Sequence, residues 1–219
     1  MHVYLRHPST HFIHLQRRPF TLPPFSAFLS KFLNEFACHH FPGSVLSSLH
    51  WWEAVLAKSD CSCSLKPHMT IDPDIWVDAS SSWGISIILG KIWYAWSLTP
   101  GWRAKGRDIS WAESITLEMA MLILTNEEYH DCSVIVQGNN TGIIGAYDKG
   151  RSCNVPHNDS IHQITSSIIP NNITIIPIYV MSAMNRANPI SHGILGPSNL
   201  CAPSPPALPP ELAHFLRNV

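Results

Sequence analysis

Charge is scarce in this chain of 219 residues: Asp, Glu, Lys and Arg make up 13% of it, and the formal net charge is -1. That balance excludes a global electrostatic pull toward nucleic acid or an anionic membrane, so any such binding must rest on a local patch. Long apolar runs are also missing. The longest stretches, 85–89 and 173–180, have the length of strands and fall well short of the roughly 18 residues that cross a bilayer, so no membrane partner is expected. The six cysteines have no framework spacing, and a chain of this length does not need disulfide staples. Reduced thiols in the cytosol or nucleus, without secretion, are the expectation. Cys38, His39 and His40 with Cys61 and Cys63 have zinc-ligand chemistry but not the spacing of a zinc knuckle. Internal repeats are absent.

What is present is a large apolar fraction, 45% of the residues, enough for one domain with a sizeable core. Residues 1–24 carry Arg6, Arg17 and Arg18 without any acid and end in a proline cluster. This composition reads as a disordered lead-in, with a transit peptide as the less favoured alternative. Over 25–68 apolar residues recur at helical spacing, first at Phe25, Phe28, Leu29, Phe32, Leu33 and Phe36 and again after the Pro42-Gly43 break, predicting two short amphipathic helices. Within the second, Trp51 and Trp52 read as packing residues.

The stretch 74–195 organises the rest. Strands are predicted at 74–79, 83–90 and 91–98, the last two joined by a turn at Leu89-Gly90-Lys91. A helix over 110–124 follows, its start marked by the capping-box spacing of Ser110 and Glu113. Then come a strand at 132–136, a helix closed by Gly150, a helix over 158–169 and a strand at 173–180, giving the order βββαβααβ. From 197 to 219 prolines recur at 197, 203, 205, 206, 209 and 210, which reads as a stiff linker ending in a short helical tail.

Polar residues recur where buried elements end: Asp78 after the first strand, Glu113 on the helix, Asn139 after the fourth strand and Asn188 after the last. Strands ending side by side would bring these four oxygen-bearing side chains together. Four carboxylates so placed would form a two-metal phosphodiester site, since hard Mg²⁺ ions take carboxylate oxygens. Singly, each residue has a simpler reading as a turn former or cap. His157 and His192 lie within sequence reach of the same region, but each suits a structural or surface role.

The runs VDAS with SWGISIIL, GRDISWAE, VIVQGNNTGIIGAYDKGRSCN and YVMSAMNRANPISHG, in that order over 73–196, resemble the ribonuclease H-like domain of retroelement reverse transcriptases, specifically those of fungal retrotransposons. The resemblance implies an α/β fold with a mixed five-stranded sheet flanked by helices, here with an N-terminal helical appendage resembling the connection to a polymerase. It also implies metal-dependent hydrolysis of RNA in RNA/DNA hybrids, with Mg²⁺ or Mn²⁺ as cofactor. Asp78 and Glu113 match the family's catalytic, metal-binding acids. Asn139 and Asn188 stand where it has aspartates, so the metal would be weakly held and this copy impaired or inactive. The implied partners are an RNA/DNA hybrid or other nucleic acid and a reverse transcriptase domain absent from this chain. Arg103, Lys105, Arg107, Lys149 and Arg151 are the candidate phosphate contacts, though acids outnumber bases within 74–195. A non-catalytic nucleic-acid-binding module and a retroelement relic without function are the alternatives.

Overall fold

The computed structural model describes residues 5–6, 12–13, 28, 31, 40, 42–57, 68–140 and 155–219. Of the lead-in, the described parts are Leu5–Arg6 and Phe12–Ile13, which pair antiparallel. Of the two helices expected before the domain, the second is helix α1, Gly43–Leu56. The first lies almost wholly outside the described residues, as does the helix expected to close at Gly150.

The main sheet begins with β1, Met69–Ala79, followed by β2, Gly84–Leu89, and β3, Ile92–Leu98. These three pair antiparallel in sequence order. Gly90 adopts φ +60 in the turn between β2 and β3, a conformation a side chain disfavours. β1 starts five residues before the predicted strand because Pro73 does not end it. The ladder shifts register between Ile71 and Ile75, and Asp74 takes φ +59 within the shift. A bulge is where a strand tolerates a residue without an N–H. Helix α2, Ile109–Asn126, then crosses the sheet and leads to β4, Cys132–Gly138, which runs parallel to β1. Helix α3, Val155–Ile168, packs on α2 and precedes β5, Thr174–Tyr179, parallel to β4.

Helix α2 is buried almost all round, from Trp111 to Leu124, because it lies between the sheet and α3. Its apolar residues meet Ile75, Val77, Ile85, Ile87 and Trp96 from alternate positions of the first three strands. The opposite side chains of these strands, including Trp76, Ile88 and Trp93, form a smaller cluster with Ala187 and Ile190. Both sheet faces are therefore covered. Gly84 shows how closely β2 and β3 approach, since a Cβ there would sit 2.1 Å from the Trp96 carbonyl oxygen.

The proline-rich end departs from the sequence expectation. Instead of a linker with a helical tail, it returns to the sheet and adds β6, Leu216–Asn218, antiparallel to β3. The sheet therefore has six strands, in the order β5-β4-β1-β2-β3-β6, rather than five. Its attachment is specific: the Trp93 indole N–H donates to the Pro197 carbonyl at 2.9 Å, Ala202 N–H donates to Trp93 O at 2.9 Å, and Ala202, Leu212 and Leu216 join the main core. Fixed proline φ angles leave this segment little freedom to lose on docking, so a few apolar anchors suffice to hold it. Leu216 is 2% exposed. Leu216→Ala should therefore lower stability by about 2–5 kcal/mol, read as an earlier urea midpoint. An unchanged midpoint would mean that the tail does not pack as described.

Candidate functional site

Asp78 lies one residue before the end of β1, on the face opposite Val77 and Ala79, and is 1% exposed. A carboxylate this buried needs donors. They come from the segment that follows β5. Asn185 Nδ2 donates to Asp78 Oδ1 at 3.1 Å and to the Val77 carbonyl at 2.9 Å, and the Ser191 hydroxyl donates to Asp78 Oδ2. Asn185 Oδ1 accepts from Ala187 N–H at 3.1 Å, and Ser86 Oγ on β2 donates to the Ala187 carbonyl at 2.8 Å. The four-residue helix α4, Asn188–Ser191, is thus fastened across β1 and β2. Burial raises the Asp78 pKa, and the hydrogen bond from Ser191, the nearby His192 and the amides of Asn139 and Asn185 partly offset the rise.

Glu113 reaches the site from the second turn of α2 and is 8% exposed. Burial and the Asp78 charge push its pKa up to about 8, while the Ala79 N–H pulls it down. The expected capping box does not form. Asp108 is the N-cap, its side chain accepting from Trp111 N–H at 3.0 Å. The cap lies two residues upstream of Ser110 because a β-region residue with a side-chain acceptor is available there, and Glu113 is left to face the end of β1. The buried His157 ring, with Nε2 3.3 Å from Asp108 Oδ1, belongs to this cap.

Asn139 follows β4 and brings its amide beside Asp78. Its Nδ2 donates to Ser182 Oγ at 2.9 Å, and among the described residues its buried Oδ1 has no hydrogen-bond partner. Asn188 stands differently: it opens α4, and its backbone carbonyl, 2.9 Å from Ser191 Oγ, is what reaches toward the site. Asp78, Glu113 and Asn139 are therefore brought together, while the positions against Asp78 expected to include Asn188 are held by Asn185 and Ser191. Those two were missed in the sequence. No local pattern marks them, because their partner on β1 lies more than a hundred residues upstream.

The basic candidates divide. Arg107 is committed to structure, its Nε donating to the Trp102 carbonyl at 2.6 Å and its guanidinium lying 4.3 Å from the Phe215 ring centre and 5.6 Å from that of Trp111. Arg103 lies over Trp102 and reaches the Ser81 carbonyl at 3.4 Å, just past the end of β1. Lys105 is exposed in the same loop at φ +57, and Lys149 and Arg151 lie outside the described residues. Arg186, which the sequence reading left aside, pairs with Asp74 and donates to the Gly90 carbonyl at 3.0 Å.

Among the described residues no group of three or more His, Cys, Asp or Glu side chains could hold a metal ion. The site offers two buried carboxyl groups, with both Asp78 oxygens engaged by protein donors and the Asn139 amide beside them. Fold and site together define an α/β protein whose mixed six-stranded sheet is flanked by helices and carries a buried carboxylate pair at one end. Compared with protein-family models, curated proteins and solved structures, the chain matches none. No helix among the described residues is long and apolar enough to cross a membrane.

Proposed function

We propose that this chain is a ribonuclease H-type domain directed at the RNA strand of RNA/DNA hybrids, with its metal-dependent chemistry impaired. The observation that carries the reading is the convergence of Asp78, Glu113 and the Asn139 amide, residues from three separate elements. The Asp78 charge helps raise the Glu113 pKa, a crowding of acids that a bound cation would relieve. Asp78, Glu113 and the Asn139 amide oxygen would hold a Mg²⁺ or Mn²⁺ ion. When bound, such an ion supplies an activated water and stabilises the leaving oxygen in phosphodiester hydrolysis.

The chain's own contribution is positioning and charge. Asn185 orients Asp78, and Ala79 N–H holds the Glu113 carboxyl toward the end of β1. Arg103, which reaches the Ser81 carbonyl, would meet a phosphate in this reading. Asn139 supplies an oxygen without the negative charge that would draw in a divalent ion, which is the physical root of the impairment.

Hybrid cleavage by the full chain in Mn²⁺ tests the reading. Residual cleavage should disappear in Asp78→Asn, with circular dichroism confirming that the variant folds. Cleavage that survives this substitution would remove Asp78 from the chemistry and the proposal with it. A second reading, a binding module that holds nucleic acid without cutting it, is favoured by the protein donors already on both Asp78 oxygens. It requires hybrid affinity that falls steeply with added salt in a chain without cleavage.

A further inference from the structure

Glu118 has no part in the site at Asp78, yet it is a deeply buried acid, 5% exposed, and it stands where three elements meet. On helix α2 it lies about two turns beyond Trp111, so the two share one face. The Trp111 ring meets Phe215 edge-on with 5.3 Å between ring centres, and Leu212 and Leu216 of the same segment join the core around α2. The tail therefore runs along this face of α2. Helix α3 flanks it with the buried Ser160, which hydrogen-bonds to Glu118. Among the described residues the other carboxyl oxygen, Glu118 Oε1, is buried and has no hydrogen-bond partner. The charges acting on this carboxyl, from Glu211 on the tail and Asp159 on α3, are both negative. His162 acts on Asp159, while the titratable Tyr94 and Cys132 of the adjoining core answer to Glu127 and Asp131.

We propose that Glu118 is a pH-sensitive latch for the 211–218 segment, which stays docked while this carboxyl is protonated and loosens when it ionises. The role is independent of the function read from Asp78 and Glu113. A neutral carboxyl needs little beyond the Ser160 hydrogen bond, whereas a carboxylate with one bare oxygen in an apolar junction must find donors or reach water. Of the elements that cover Glu118 the tail is the weakest: β6 has three residues paired to one strand, against the 14 residues of α3. Ionisation is therefore relieved by lifting the tail, and repulsion from Glu211 acts in the same direction. Lifting it would unpair the outer edge of β3 and bare the Trp111 ring, with α2 and α3 left in place. The direction in pH follows from the burial, which holds Glu118 protonated up to about 8. Docking is complete below the ordinary carboxylate pKa and weakens as pH climbs toward that value.

Amide hydrogen exchange at Leu216–Asn218 in the full chain, expressed as protection relative to the unstructured rate at each pH, tests the latch. These amides should be less protected than those of β2, because the tail opens without the rest of the sheet. Their protection should fall roughly tenfold to a hundredfold between about pH 6 and about pH 8, since one proton released on opening is worth up to about tenfold per pH unit. In Glu118→Gln, which keeps the shape of the protonated acid, protection at β6 should stay level over the same range. Glu211→Gln, at an exposed position, should shrink the fall, and it decides the matter if the Glu118 variant does not fold. Equal protection of β6 and β2 at every pH would mean that the tail opens only with the whole molecule. A fall that survives in Glu118→Gln, or is unchanged in Glu211→Gln, would mean that another group drives it. Either result removes the latch.

Discussion

Asn139→Asp is expected to raise hybrid cleavage by roughly a hundredfold to a thousandfold over the natural chain in Mg²⁺, with Asn188→Asp adding less. A unit-charge pair at about 4 Å is worth roughly 4 kcal/mol at an effective dielectric near 20, and each 1.4 kcal/mol is about tenfold in rate. Asn139 already holds its amide beside Asp78, so the substitution changes charge without needing a new backbone path. Asn188 presents its backbone carbonyl to Ser191, and a carboxylate there must first find its way to the pocket. Single-turnover cleavage of a labelled hybrid by the four proteins, natural, single and double, gives the comparison. Equal inactivity in all four, with folding intact, would mean that this pocket is not where phosphodiester chemistry occurs. A larger gain from Asn188→Asp than from Asn139→Asp would invert the geometry described for α4.

Stability should fall as pH rises from about 4.5 to about 8, the reverse of an ordinary acid-denatured profile. Glu113 and Glu118 are both buried, and both have pKa values pushed up to about 8 from an ordinary 4.5. For Glu118 the main cause is burial between α2 and α3, with the charges of Glu211 and Asp159 adding to it and the Ser160 hydrogen bond opposing it. The folded protein holds these protons more tightly than the unfolded chain does. Their contribution is therefore complete below the unfolded pKa and is lost progressively as pH climbs to the folded value. One unit corresponds to about 1.4 kcal/mol, so the two groups together are worth several kcal/mol across the window. Asp78 and Asp159, also raised by burial, act in the same direction.

Two effects run the other way. His162 is held below its ordinary pKa by burial, partly offset by Asp159, so its share is present above about pH 6.5 and diminishes as pH falls below that. Asp74 and Asp108 are lowered on balance, burial being outweighed by hydrogen bonds from Trp76 and Arg186 and from Trp111 and His157 respectively, and their shares vanish below about pH 4. Maximum stability near pH 5 follows. Urea midpoints between pH 4 and 9 measure it, and Glu118→Gln should flatten the upper limb. A midpoint that stays level or increases from pH 5 to 8 would rule out protonated Glu113 and Glu118 in the native state.

How much of this could be read from the sequence depended on how local the cause was. The β2–β3 hairpin was legible because Gly90 and the flanking alternation act within a few residues. Helix α2 was legible from its apolar spacing, but its N-cap was not, since Asp108, Ser110 and Glu113 all present capping chemistry and only tertiary placement chooses among them. The proline-rich end was misread for a related reason. Composition reports that such a stretch cannot build a core alone, and says nothing of whether Ala202, Leu212 and Leu216 can complete one built elsewhere. At the site, Asp78, Glu113 and Asn139 could be singled out because each lies where a buried run ends or on the helix that crosses it. Asn185 and Ser191 could not, because hydrogen bonds to residues more than a hundred positions away leave no trace in local pattern.

That separation has a kinetic meaning. The Asp78–Asn185 and Asp78–Ser191 bonds span 107 and 113 residues, so nothing in the neighbourhood of either partner can assemble the pocket early. Closing so long a loop is entropically rewarded only after the intervening strands have paired. The pocket is therefore a late product of folding, and a chain that holds it intact has already paired the strands that lie between β1 and α4.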